Sequence, residues 1–101
     1  MSPPAYHITE STVTDEEGYH NEVVPLILKS LEDFGGKPIV RGGKTVSVSG
    51  SPPAGRITVV QFESLDKAQA WINSPAIQAA LPIVQKYSTN IRAYQIEGAS
   101  P

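Results

Sequence analysis

Residues 34–43 read Phe34-Gly35-Gly36-Lys37-Pro38-Ile39-Val40-Arg41-Gly42-Gly43. Within this stretch one element stops, another starts and then turns. A Gly pair behind a helical pattern suits a left-handed C-cap, because Gly has no Cβ to clash at positive φ. Lys37 to Arg41 then reads as a strand. Pro38 costs little there if its missing N–H faces an edge. Gly42-Gly43 permits a bend or bulge and leaves Arg41 held just before it.

Upstream, Tyr19, Val23, Leu26, Ile27, Leu31 and Phe34 fall on one helical stripe, the strongest periodic signal in the chain. Thr14 and Glu17 have capping-box spacing, with Asp15 as the alternative cap, and the acids that follow suit the positive end of the helix dipole. Pro25 lies inside the stripe and predicts a kink, since it removes the bond to the Asn21 carbonyl. Ahead of that helix, Ala5 to Val13 mixes aromatic, β-branched and polar residues as a strand does. Neither face of it is a clean apolar stripe: Tyr6, Ile8, Glu10 and Thr12 alternate with Ala5, His7, Thr9, Ser11 and Val13.

Downstream, Thr45, Val46 and Val48 predict a short extended continuation, and residues 50–55 a loop. Arg56 to Phe62 is the clearest strand, rich in Val, Ile and Thr and apolar on both faces. Ser64 caps a helix carrying Leu65, Ala68, Trp71 and Ile72. Ser74-Pro75 restarts it, and Ile77, Ala80, Leu81, Val84 and Tyr87 continue it, with Pro82 predicting a break or bend. Asn90 to Glu97 is the last strand.

The order β-α-β-β-α-β, with right-handed crossovers, closes as one α+β domain over residues 1–101. It is a ferredoxin-like, four-stranded antiparallel sheet with both helices on one face. The other face lacks a cover, and an apolar patch of that size exceeds what monomers usually leave in water. Two such faces would bury about 800 Å² per partner. The expected assembly is therefore a homodimer with sheet facing sheet, a dimeric α+β barrel.

The chain has 101 residues, 40% hydrophobic, with a net charge of −2 and no Cys. There is no basic stripe, which speaks against nucleic acid as a partner. Lack of Cys removes disulfides, thiolate catalysis and cysteine metal sites. No apolar run approaches the roughly 20 residues of a membrane span. Met1-Ser2-Pro3-Pro4 carries no secretory pattern, so a cytoplasmic protein is expected.

Val13-Thr14-Asp15, Tyr19, Phe34-Gly35-Gly36, Val40-Arg41-Gly42-Gly43, Phe62-x-Ser64, Trp71, Ser74-Pro75 and Glu97-Gly98 occur in that order. As an ordered set, from about Ala5 to Gly98, they resemble domain-of-unknown-function family 1330. The resemblance implies a dimeric α+β barrel and supplies no catalytic residues, since the family has no agreed activity. The chain departs from that pattern at Ala76-Ile77, where members carry a Tyr, and at Gln61, where Glu is frequent. His7, Thr9 and Ser11 stand where the family's first strand is more apolar.

His7 is the foremost candidate for an acid, base or ligand anchor, because imidazole titrates near neutrality. In that reading it faces the barrel lumen with Thr9 and Ser11; against it stands a hydrogen-bonded or edge-exposed sheet histidine. Arg41 could present its fork to a carboxylate or enolate, or fix the turn by pairing with Glu63 or Glu97. Gln61 and Tyr94, if inward, offer donors to a polarised carbonyl; if outward, they hydrogen-bond across a dimer interface. His20 follows Tyr19 one position off the helical stripe, a possible ligand contact but more simply an exposed histidine. Trp71 and Tyr87 read as core. Two histidines without an acid pattern form no recognisable metal site, and P-loop, dinucleotide and G-x-S-x-G motifs are absent from the sequence. The expected activity is cofactor-independent work on a small organic metabolite, of cyclase, isomerase or oxygenase type. The alternative is a non-catalytic dimeric binding or structural module.

Overall fold

The computed structural model describes residues 2–53 and 55–100. Strand β1 (Ala5–Val13) leads into one continuous helical run: α1 (Glu16–Gly18), a π turn (Tyr19–Val23), α2 (Val24–Leu31) and a 3-10 turn (Glu32–Phe34). Then come β2 (Lys37–Arg41), β3 (Arg56–Phe62), α3 (Leu65–Ile72), α4 (Pro75–Tyr87) and β4 (Ser88–Glu97). The strands form one sheet in the order β2-β3-β1-β4, antiparallel at every junction. This is the ferredoxin-like α+β arrangement.

The register settles which way β1 faces. Ala5 stands opposite Phe62, and His7 opposite Val60. Ala5, Val60 and Phe62 pack with Leu31, Ala68, Trp71, Ile77 and Ala80 into the main core. His7, Thr9 and Ser11 therefore point toward the helices, while Tyr6, Ile8 and Glu10 point to the opposite face. A second cluster of Tyr19, Val23 and Tyr87 closes the other end of the helical layer. The opposite sheet face has no helix over it, and it leaves Tyr94 at 43% and Ile96 at 56% exposure.

Local chemistry explains the ends of the elements. Asp15 is the first helical cap and accepts from the Gly18 N–H at 3.0 Å. Ser64 accepts from the Lys67 N–H at 3.2 Å. Gly35 ends the helical run at φ +68, the left-handed value its lack of a side chain permits.

Three sequence expectations are corrected. Pro25 does not lie inside one regular α-helix. The chain widens into a π turn just before it, where the Val24 N–H reaches back to the Tyr19 carbonyl, and Pro25 takes the first turn of α2, where no N–H is needed. The extra residue advances the helical phase, so Leu26 leaves the buried stripe and sits 38% exposed. The helix α4 runs unbroken through Pro82. Thr45, Val46 and Val48 form no strand; Val46 and Val48 point into solvent, with no neighbouring strand to pair against.

Candidate functional site

The alternation of β1 places three polar side chains, His7, Thr9 and Ser11, under the helices. Thr58 and Val60 of β3 stand opposite them. The helices roof this floor with Trp71 and Ile72 from α3, Ile77, Leu81 and Val84 from α4, and Tyr19 and Ile27 from the first helical run. Together they enclose a cavity of about 380 Å³ that opens along β4 at Ile91 and Ala93. The volume is at the lower end of the range typical of small-molecule sites, as is the pattern of apolar walls with a few polar groups. Another hollow of about 460 Å³ lies among Glu10, Ser51, Asn90 and Arg92 at the sheet margin. Its charged groups already face each other, with Arg92 3.9 Å from Glu10.

His7 is buried in the cavity floor, 7% exposed. Burial withdraws water from the imidazolium form and lowers its pKa to about 4. Its ring stands edge-on to Trp71, centroids 4.9 Å apart and planes at 82°. The Trp71 indole N–H is occupied: it donates to Ser30 Oγ at 3.0 Å, and Ser30 in turn donates to the Ile27 carbonyl at 2.7 Å. Trp71 therefore gives the cavity an apolar wall.

Gln95 orients the histidine. In the β1–β4 register it lies directly beside His7. Its Nε2 is 3.1 Å from the Ala68 carbonyl oxygen and 3.1 Å from His7 Nδ1. A carbonyl oxygen only accepts, so the amide atom next to it is the nitrogen. That nitrogen then donates to Nδ1 as well, and the neutral imidazole carries its proton on Nε2. The arrangement makes His7 a hydrogen-bond donor at Nε2, with Nδ1 already engaged.

The remaining candidates divide by location. Thr9 joins His7 in the cavity. Arg41 is on the edge strand β2 opposite Thr58, exposed, and lines a small adjoining recess. It has no ion pair with Glu63 or Glu97 among the described residues. Gln61 and Tyr94 are not brought to the cavity. Gln61 pairs with Tyr6, and Tyr94 with Ile8, so both face the open side of the sheet. There the Tyr94 hydroxyl donates to Glu10 Oε2 at 2.7 Å, which raises the phenol pKa. His20 lies on the solvent side of the helical run, 3.8 Å from Glu16.

Sequence reasoning missed Thr58 and Gln85 as polar groups lining the cavity and Gln95 as the partner of His7, and it read Trp71 as core without its part in the wall. Gln95 did carry a signal. It alternates with Ala93 on the face of β4 opposite to Tyr94 and Ile96, a polar residue on an inward position.

The model of the domain of unknown function DUF1330 matches residues 4–99. The chain belongs to the DUF1330 family. No curated protein matches it. Among solved structures, a protein of unknown function from Rhodopseudomonas palustris is 14% identical with a TM-score of 0.65, over 100% of this chain and 86% of that one. A dimeric protein of unknown function with a ferredoxin-like fold, from Bacteroides fragilis, is 15% identical with a TM-score of 0.60, over 94% of this chain and 96% of that one. SnoaB, a cofactor-independent oxygenase from Streptomyces nogalater, is 9% identical with a TM-score of 0.59, over 99% of this chain and 97% of that one. At these identities the likeness is one of fold. Among the described residues no helix is long and apolar enough to cross a membrane.

Proposed function

We propose that this DUF1330 chain is a cytoplasmic homodimer, joined through its open sheet faces, that holds one small, largely apolar carbonyl compound per chain in the cavity beneath β1. The observation that carries this reading is the Ala68–Gln95–His7 chain of hydrogen bonds. It fixes the neutral imidazole as the Nε2–H tautomer, and that N–H has no partner among the described residues. A neutral N–H in a site with apolar walls donates to a carbonyl oxygen, and the bond strengthens as that oxygen gains negative charge. The enzymatic form of the reading is cofactor-independent chemistry on that carbonyl compound, in which His7 steadies the developing oxyanion. No Asp, Glu or Lys is among the residues lining the cavity. The reading thus gives His7 the part of polarising group and gives proton abstraction to no side chain. Support for the dimer comes from the apolar open face and from the dimeric structural relative of B. fragilis.

Native mass spectrometry of the protein incubated with a panel of apolar ketones and aldehydes tests both halves. The expected species is a dimer with up to one compound per chain, and Thr9→Trp, which fills the cavity floor, removes the added mass. A monomer contradicts the assembly. Binding that Thr9→Trp leaves unchanged contradicts the site.

A further inference from the structure

Beside the main cavity, and sharing Tyr19, Ile27, Thr58 and Val60 with it, is a recess of about 30 Å³. That is room for about two water-sized groups. Two guanidinium-bearing residues line it, Arg41 on β2 and Arg56 at the start of β3. Among the described residues the ion pairs are His20–Glu16 and Arg92–Glu10, so neither arginine has a carboxylate partner.

Arg56 is held in place from both sides. Its guanidinium carbon lies 5.1 Å from the centre of the Tyr19 ring, within cation–π range. On the other side is Gly42, at φ +70, where a Cβ would come 2.5 Å from an Arg56 terminal nitrogen. Gly42 is thus needed for its backbone angle and for the space the guanidinium takes. Arg56 Nε is buried and has no hydrogen-bond partner, the one side-chain nitrogen or oxygen in that condition among the described residues. A buried donor left unmade goes uncompensated for the water it has lost. A fixed, partly desolvated guanidinium with an open N–H edge fits a planar two-oxygen anion, which it binds through parallel charge-assisted hydrogen bonds.

We infer that the ligand of this protein is a carboxylic acid with an apolar body, its carboxylate seated in the recess on Arg56 and Arg41 and its body lying in the His7 cavity. This rests on the cavity reading above and adds the class of compound. The recess accommodates two oxygens, which favours a carboxylate over a tetrahedral phosphate. Arg41 and Arg56 lie on the β2–β3 side of the site, across the sheet from the opening along β4, so the acid is read by charge at one end only.

Octanoate and octanamide, equal in shape and different in charge, are the probes, with binding to the full chain measured by calorimetry. Wild type is expected to prefer the acid by about tenfold or more, the scale of a charge-assisted hydrogen bond. In Arg56→Gln the preference disappears while octanamide binds as before. Arg41→Gln, an exposed substitution that leaves the core intact, reduces the preference, and it serves as the deciding variant if Arg56→Gln does not fold. Equal binding of acid and amide to wild type overturns the carboxylate assignment and leaves the cavity reading standing. A preference that survives in folded Arg56→Gln, or that is undiminished in Arg41→Gln, also overturns it. If neither probe binds, and carbonyl compounds bind no better, both readings fall.

Discussion

Gln95 Nε2 stands 3.1 Å from His7 Nδ1 and at the same distance from the Ala68 carbonyl, so a single amide group fixes the tautomer of the buried imidazole. The contact links neighbouring strands to the first turns of α3. It exists because the β1–β4 register sets residue 7 beside residue 95.

The His7 environment makes stability depend on pH. The folded-state pKa of about 4 lies below the ordinary 6.5. Between those values the unfolded chain takes up a proton and the folded chain does not. The stability attached to His7 is therefore complete above about pH 6.5 and is lost as pH falls toward 4. A shift of that size corresponds to at most about 3 kcal/mol. Urea melts across this window should slope more steeply for wild type than for His7→Gln, and the difference should vanish above pH 7. Parallel curves contradict the burial argument.

Gln95→Leu removes the donor shared by His7 Nδ1 and the Ala68 carbonyl. His7 Nδ1 then lacks its partner and the Ala68 carbonyl loses the donor it has beyond its own helix, at a cost of about 1–3 kcal/mol. Ring ¹⁵N shifts of His7 at pH 7.5 should show the Nε2–H form in wild type and a mixture of tautomers in the variant. Gln95→Glu puts an acceptor-only group beside the ring in place of the donor, and the proton should then move to Nδ1.

Trp71 joins three parts of the molecule. It packs on Phe62 at 5.5 Å, stands edge-on to His7 and donates to Ser30. Truncation to Ala leaves a void in the main core and strands the Ser30 contact, so a loss of about 3–5 kcal/mol is expected. Trp71→Phe keeps most of the volume and loses the hydrogen bond, at about 1–2 kcal/mol. Thermal melts of the two variants separate packing from bonding.

The open sheet face predicts a separable assembly. Val59 pairs with Ile8 and Val40 and points away from the helices. Val59→Lys should yield a monomer by sedimentation with an unchanged far-ultraviolet spectrum. Unaltered dimer mass would place the interface elsewhere.

The fold was largely legible because its punctuation is local. Gly35, Asp15, Ser64 and Ser74-Pro75 set element ends through their own backbone preferences, and β2 and β3 fall where their residues indicate. The facing of β1 was not legible. Its core side carries His7, Thr9 and Ser11, while its outer side carries Tyr6 and Ile8, so hydrophobicity alone gives the wrong contrast. Polar residues inside belong to a cavity, and apolar residues outside belong to an uncovered face. The π turn was hidden for another reason: Pro25 announces a missing bond without saying how the chain will adjust to it. At the site, His7 stood out by its chemistry. Gln95 did not, because its role depends on a pairing 88 residues distant in sequence.

The most direct measurement is a ring-¹⁵N and amide NMR titration of the protein with small apolar carbonyl compounds at pH 7.5. A bound carbonyl oxygen accepting from His7 should move the Nε2 proton downfield while Nδ1 keeps its shift, with amide changes confined to His7, Thr9, Thr58 and Ala93. A panel of such compounds that binds elsewhere, or that leaves the Nε2 proton unmoved while filling the cavity, would contradict the role assigned to His7.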